Sequence, residues 1–194
     1  MAEILKVAVI GCGGHAQHHF RMIAADARVR LTAVAEIDAT RLASAAADHG
    51  AEHAFDDYRK MLDEIDDLDI VHVTTMPGFL VDIVLDCLAR GLHVLAEKPP
   101  GMSSADTQRM ADAAQRSTGK SMVSFNRRYM PQILAVRRLA QQAGGAVHVS
   151  GTYNKPVTTL GTAVMAGITP DPVICDAIHH VDLIRWLAGS GDTA

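Results

Sequence analysis

The feature that most constrains this chain is a short apolar run that stops on glycine. Ile4–Ile10 reads I-L-K-V-A-V-I, and Gly11-Cys12-Gly13-Gly14-His15-Ala16 follows at once. The β-branched run predicts a strand, and the residues from His15 to Ala25 predict a helix. A G-x-G-x-x-[G/A] sequence between a strand and a helix has a specific physical use. Gly11 permits the tight turn, Gly13 lets the backbone approach a phosphate closely, and Ala16 lets the helix pack on the strand. The start of the helix supplies N–H groups and a partial positive charge to an anion.

A second residue tests that reading. Glu36 lies 20 residues beyond Ala16, at the end of the next predicted strand, with Asp38 close behind. An acid at that distance bonds the ribose hydroxyls of a dinucleotide and repels a 2′-phosphate, which favours NAD over NADP. Arg41 is near enough to weaken the preference. Two other readings compete: a plain turn with a surface acid, and a methyltransferase, which also sets a ligand on a glycine loop.

The rest of the chain alternates strands with helices. Strands are expected at Leu31–Ala35, Ala54-Phe55, Ile70–Thr74, His93–Ala96 and Ser121–Phe125. Helices are expected at Thr40–His49, around Tyr58–Leu62, and at Leu80–Arg90 and Ser104–Ser117. Gly50, Gly91 and Pro99-Pro100-Gly101 supply stops. Such alternation implies an α/β fold with a doubly wound parallel sheet covered on both faces. A nucleotide-binding domain is expected over residues 1–124. Residues 125–194 read as the start of a second α/β domain, with a helix at Ile133–Gln142, a strand at Val147–Tyr153, an irregular stretch at Lys155–Pro172 and an amphipathic helix at Asp176–Leu187. These pieces are too few to close an independent core, so the second domain is expected to be truncated.

Composition excludes several functions. With 18 basic and 22 acidic residues, no basic stripe and 4% aromatics, the chain offers no surface for nucleic acid. It has no apolar run of 18 residues, so no membrane span is expected, and its first residues are not a signal peptide. Three widely spaced cysteines, Cys12, Cys87 and Cys175, suit free thiols in a reducing cytoplasm.

Ala96-Glu97-Lys98-Pro99 closes the strand His93–Ala96, and ligands of open α/β sheets sit outside such strand ends. A lysine there can hold a substrate oxygen and stabilise developing alkoxide charge; the plain alternative is a solvated turn lysine. Taken in order, G-C-G-G-H-A after V-A-V-I, then V-H-V-T-T-M-P, H-V-L-A-E-K-P and F-N-R-R-Y resemble the glucose-fructose oxidoreductase / inositol dehydrogenase (Gfo/Idh/MocA) family along nearly the whole chain. The resemblance implies a Rossmann domain followed by a second domain with a mainly antiparallel sheet. It implies NAD(P)-dependent oxidation or reduction of sugars, cyclitols and related polyols, and a homo-oligomer in the full-length form. It also assigns roles. Lys98 would touch cofactor and substrate, and Glu97 would sit against the nicotinamide. Thr74, Thr75, Met76 and Pro77 would pass the ribose and nicotinamide, and Asn126 and Arg127 would lie near the cofactor. Many members read T-P-N-x-x-H where this chain follows Pro77 with Gly78-Phe79-Leu80-Val81, which removes polar groups from that loop.

Asp176-Ala177-Ile178-His179-His180-Val181-Asp182-Leu183-Ile184-Arg185-Trp186 resembles the family's D-x-x-x-H helix, which ends in D-L-L-R-W. Two registers fit. Anchoring on Asp182–Trp186 makes His179 catalytic, with Asp176 three residues before it. Anchoring on D-x-x-x-H makes His180 catalytic, with Asp176 one turn away. The first register is preferred. A histidine suits the proton exchange that accompanies hydride transfer. Asp176 would support it, or else serve as a helix N-cap.

His15, His18 and His19 lie at helical spacing, but no carboxylate or cysteine set completes a ligand group, and no metal site is assigned. Cys12 sits where a helix terminus lowers a thiol pKa, or is small filler. His72 and His93 are expected to be structural.

Overall fold

The computed structural model describes residues 3–154, 156, 158 and 171–189. The chain divides into two compact units, Met1–Ser124 and Phe125–Ala194.

The first unit contains six strands: β1 (Leu5–Ile10), β2 (Val29–Ala35), β3 (His53–Phe55), β4 (Ile70–Val73), β5 (His93–Ala96) and β6 (Ser121–Val123). All pair in parallel, in the order β3-β2-β1-β4-β5-β6. Five helices join them: α1 (Ala16–Ala25), α2 (Ala39–His49), α3 (Tyr58–Glu64), α4 (Pro77–Ala89) and α5 (Ser104–Arg116). This is the Rossmann order, and its winding reverses between β1 and β4, which opens a crevice at their carboxyl ends.

The alternation of side chains along β1 divides the core. Val7 and Val9 point to one face and pack with Ala16, Phe20 and Ile23 of α1. Ala8 and Ile10 point to the other and pack with Met61, Leu80, Val84 and Leu88 of α3 and α4. A parallel strand apolar on both faces must be covered on both, and helices do so here. The helix ends follow local chemistry. Asp38, Asp57 and Ser103 accept backbone N–H bonds at the starts of α2, α3 and α5, and Gly50 ends α2 in the left-handed conformation.

One helix departs from the sequence expectation. α4 begins at Pro77, three residues before the expected Leu80, because proline at the first helical position needs no N–H partner and has its φ preset. Pro77-Gly78-Phe79 is thus the first helical turn and not a loop.

The second unit begins with a 3₁₀ turn at Asn126–Tyr129, followed by α6 (Pro131–Gln142), a π turn at Val173–Ala177 and α7 (Ile178–Leu187). The expected strand Val147–Tyr153 does not form. Gly144 and Gly145 turn the chain with positive φ, Val147 is fully exposed, and no described segment lies beside it as a ladder partner. The regular secondary structure among the described residues of this unit is helical. Most of the stretch Lys155–Pro172 lies outside the described residues.

Asp176 does not cap the last helix. Helical winding begins earlier, where the Asp171 carboxylate accepts from the N–H groups of Val173 (2.8 Å) and Ile174 (3.1 Å). Asp176 instead lies inside the π turn.

Candidate active site

In the first unit the carboxyl ends of β1, β4 and β5 line up side by side, and each carries sequence-predicted residues. The glycine loop leaves β1. Gly11 has φ +89°, and a Cβ there would come within 2.9 Å of Thr75 Cγ2 and 3.0 Å of Thr75 N. Only glycine allows the loop to lie this close to the end of β4. The Thr74 N–H donates to the Ile10 carbonyl at 2.8 Å, and its hydroxyl donates to the Gly11 carbonyl.

Gly13 and Gly14 differ from Gly11. Neither has positive φ, and a Cβ at either would meet nothing within 4 Å. The fold does not require glycine there; the open space above them does, if a phosphate is to approach the backbone. No side chain caps α1 and its first turn holds no acid, so its N-terminal partial charge is not neutralised from within. Ala16 is fully buried against the sheet, whereas His15 is exposed at the loop's rim.

Glu36 reaches under this loop. One carboxylate oxygen accepts from the Cys12 N–H at 2.8 Å; the other accepts from the Asp38 N–H at 3.0 Å and from Arg41 Nη2 at 3.2 Å. Burial opposes its charge, but the two N–H groups and the guanidinium outweigh that and hold it below the usual carboxylate range. Arg41 is half-exposed and bridges Glu36 and Asp38, whose own side chain caps α2. Cys12 is buried, and burial followed by the charge of Glu36 pushes its thiol up to about 12, so it is filler and not a reactive thiolate.

At the end of β5, Glu97 is buried and Lys98 half-buried; the Lys98–Pro99 peptide is cis. Glu97 Oε1 lies 2.9 Å from His19 Nε2, and His19 Nδ1 lies 3.1 Å from His72 Nδ1. This chain of three buried side chains was missed by the sequence reading, which paired His19 with His15 and His18 and set His72 aside. His19 turns inward while His15 and His18 are exposed, and among the described residues no three His, Cys, Asp or Glu side chains gather to hold a metal. His72 lies in β4, Glu97 directly follows β5, and His19 comes from the helix that covers β1, so the sheet order, which the sequence does not state, brings the three together. Met76 and Phe79 stand exposed at the start of α4, where the family loop is polar.

The second unit carries the remaining predicted residues. Arg127 lies in the 3₁₀ turn beside Asn126, its Nη1 3.4 Å from His180 Nδ1, and the Tyr153 ring packs on the same imidazole. Burial, then the Arg127 charge, lowers the His180 pKa against the opposing pull of Asp176. His179 is buried, edge-on to the Phe125 ring at 6.2 Å between centroids. Cys175, one turn before His179, is also buried, and Asp176 is electrostatically coupled to His180. Arg128 grips Asp182 with two hydrogen bonds, one of them 2.8 Å from Nε, and Arg137 lies over the Trp186 ring at 4.2 Å. These contacts fix the register of α7.

Comparison with known proteins matches these features. Residues 5–125 match the GFO_IDH_MocA oxidoreductase family, described as having an NAD-binding Rossmann fold. The inositol 2-dehydrogenase of Rubrobacter xylanophilus is 34% identical over 197 residues, covering 95% of this chain and 52% of the relative. The solved structure of the WlbA dehydrogenase from Chromobacterium violaceum, in complex with NADH and UDP-GlcNAcA, superposes with a TM-score of 0.80 at 26% identity, covering 96% of this chain and 56% of that one. For the myo-inositol 2-dehydrogenase of Lactobacillus plantarum the TM-score is 0.82 at 24% identity, with 96% and 57% covered, which bears on the fold alone. The chain spans about half the length of the curated relatives it matches. The match removes the methyltransferase reading: the chain belongs to the Gfo/Idh/MocA oxidoreductase family with its NAD-binding Rossmann fold.

Proposed function

We propose that the chain transfers a hydride reversibly between NAD(H) and a secondary alcohol of a sugar, cyclitol or related polyol. The observation that carries this reading is the shared sheet edge: the open glycine cradle, the ionised Glu36 and the Glu97–Lys98 turn all stand at the carboxyl ends of strands around the β1/β4 crevice. The inositol dehydrogenase relatives support the substrate class. Glu36 favours NAD, since a 2′-phosphate would meet its charge; Arg41, already engaged by Glu36 and Asp38, is less available to a phosphate.

Gly11 to Ala16 would hold the pyrophosphate and Thr74 to Pro77 would pass the ribose and nicotinamide, and the family resemblance puts Asn126 and Arg127 near the cofactor. Bound NAD supplies the hydride acceptor. The Lys98 ammonium would hold the alcohol oxygen and stabilise negative charge on it as the C–H bond breaks. The family resemblance makes a histidine of α7 the group that would take the proton. His179 remains the assignment by the Asp182–Trp186 anchor, while the coupling of Asp176 to His180 supports the other register. A homo-oligomer in the cytoplasm completes the reading; the three buried free cysteines suit a reducing compartment.

Lys98→Ala tests the central role. Turnover of a cyclitol should fall about 10²- to 10³-fold, the worth of one stabilising donor, with NADH affinity unchanged. Unchanged turnover would remove Lys98 from the chemistry. A second reading, a dinucleotide-binding regulatory protein, draws on exposed Met76 and Phe79 where the family loop is polar. NADH binding without turnover across a polyol panel would select it.

A further inference from the structure

The buried chain His72–His19–Glu97 is not used by the hydride-transfer scheme, yet it ends on the residue next to Lys98. Glu97 is engaged on both oxygens. Oε1 meets His19 Nε2 at 2.9 Å, and Oε2 accepts from the Lys98 backbone N–H at 3.2 Å. The Ser124 hydroxyl also bonds this carboxylate, and His15 faces it electrostatically. Burial opposes the charge of Glu97, but the His19 bond and the nearby imidazoles hold it below the usual carboxylate range, and an ionised carboxylate at this distance can only accept, from an Nε2–H of His19. Behind it, burial and then His19 push His72 down to about 4, so His72 is neutral. A neutral His72 can meet either tautomeric demand of His19 Nδ1, as donor or acceptor.

We propose that His19 is a positioning residue for the Glu97–Lys98 turn: its Nε2–H, backed by His72, orients the Glu97 carboxylate, whose other oxygen fixes the backbone of Lys98 where the ammonium must meet the substrate oxygen. The inference rests on the oxidoreductase reading. Helix α1 thereby serves the site twice, with its N-terminus at the glycine loop and His19, one turn in, at the E-K-P turn. A plain core histidine would need neither an ionised partner nor a second imidazole behind it.

The test compares His19→Phe, which keeps bulk and removes the donor, with His19→Gln, whose amide can donate. His19→Phe should lower kcat about 10- to 100-fold, the worth of a hydrogen bond to a charged group, with NADH affinity held. His19→Gln should recover most of it, with both variants melting as cooperatively as the parent. Added to Glu97→Gln, His19→Phe should cost nothing further, because both act through one bond. Losses that multiply, or equal loss in His19→Gln and His19→Phe, overturn the proposal. The bond itself is read without turnover from imidazole ¹⁵N spectra: Nε2 of His19 must be protonated and must shift on Glu97→Gln, and an unprotonated Nε2 overturns it. If the parent shows that signature but oxidises no polyol, the oxidoreductase reading has failed and the His19–Glu97 bond stands.

Discussion

The two units hold themselves together in different ways. In the first, strands apolar on both faces are sealed by five helices, and Val7, Val9, Phe20, Met61, Leu80 and Val84 lose nearly all contact with water. In the second, α6 buries none of its residues, Leu134, Val136 and Leu139 stand open, and α7 is fixed by the Arg128–Asp182 pair and by Arg137 over Trp186. Burial removes water from apolar area without regard to direction, whereas a guanidinium fork works only in one geometry. The first unit thus carries a robust fold, and the second, among its described residues, a fixed register with little core beneath it.

This contrast can be broken by mutation. Phe20→Ala should cost the first unit about 3–5 kcal/mol in urea unfolding, the range for emptying a packed aromatic site; a cost under about 1 kcal/mol would mean that the α1 face is not closed. Acid should act on the same unit. The unfolded chain protonates His72 near 6.5, while the folded one resists until about 4. Stability should therefore fall as pH drops across that window, by roughly 3 kcal/mol at most, and His72→Asn should flatten the slope. Glu97, lowered in the fold, pulls in the same direction at more acid pH. In the second unit Asp182→Ala should cost about 2 kcal/mol by leaving Arg128 without its carboxylate, whereas Leu139→Ala, at 61% exposure, should stay within about 0.5 kcal/mol. Hydrogen exchange on α7 reads the first, and a large effect of Leu139 would show that α6 is covered.

The contrast also explains what could be read in advance. β1, α2, β5 and the capped start of α5 were legible because short apolar runs, Gly50 and Ser103 write their signals locally. The strand at Val147–Tyr153 was misread because local β-propensity cannot supply a ladder partner. α4 was started late because Pro77-Gly78 reads equally as a turn. The candidate site divided along the same line. Gly11, Gly13, Glu36 and Lys98 follow from spacing around strand ends. The His19–Glu97 bond joins residues 78 positions apart, and only the parallel order of β1, β4 and β5 brings them together.

The central claim is that the first unit holds a dinucleotide at its glycine loop, and calorimetric titration of the chain with NADH and NADPH tests it most directly. The account predicts that NADH binds more tightly than NADPH and that Gly13→Val, at a position where a Cβ would meet no protein atom within 4 Å, abolishes binding with cooperative melting kept. Binding that survives Gly13→Val, or a preference for NADPH, would contradict it.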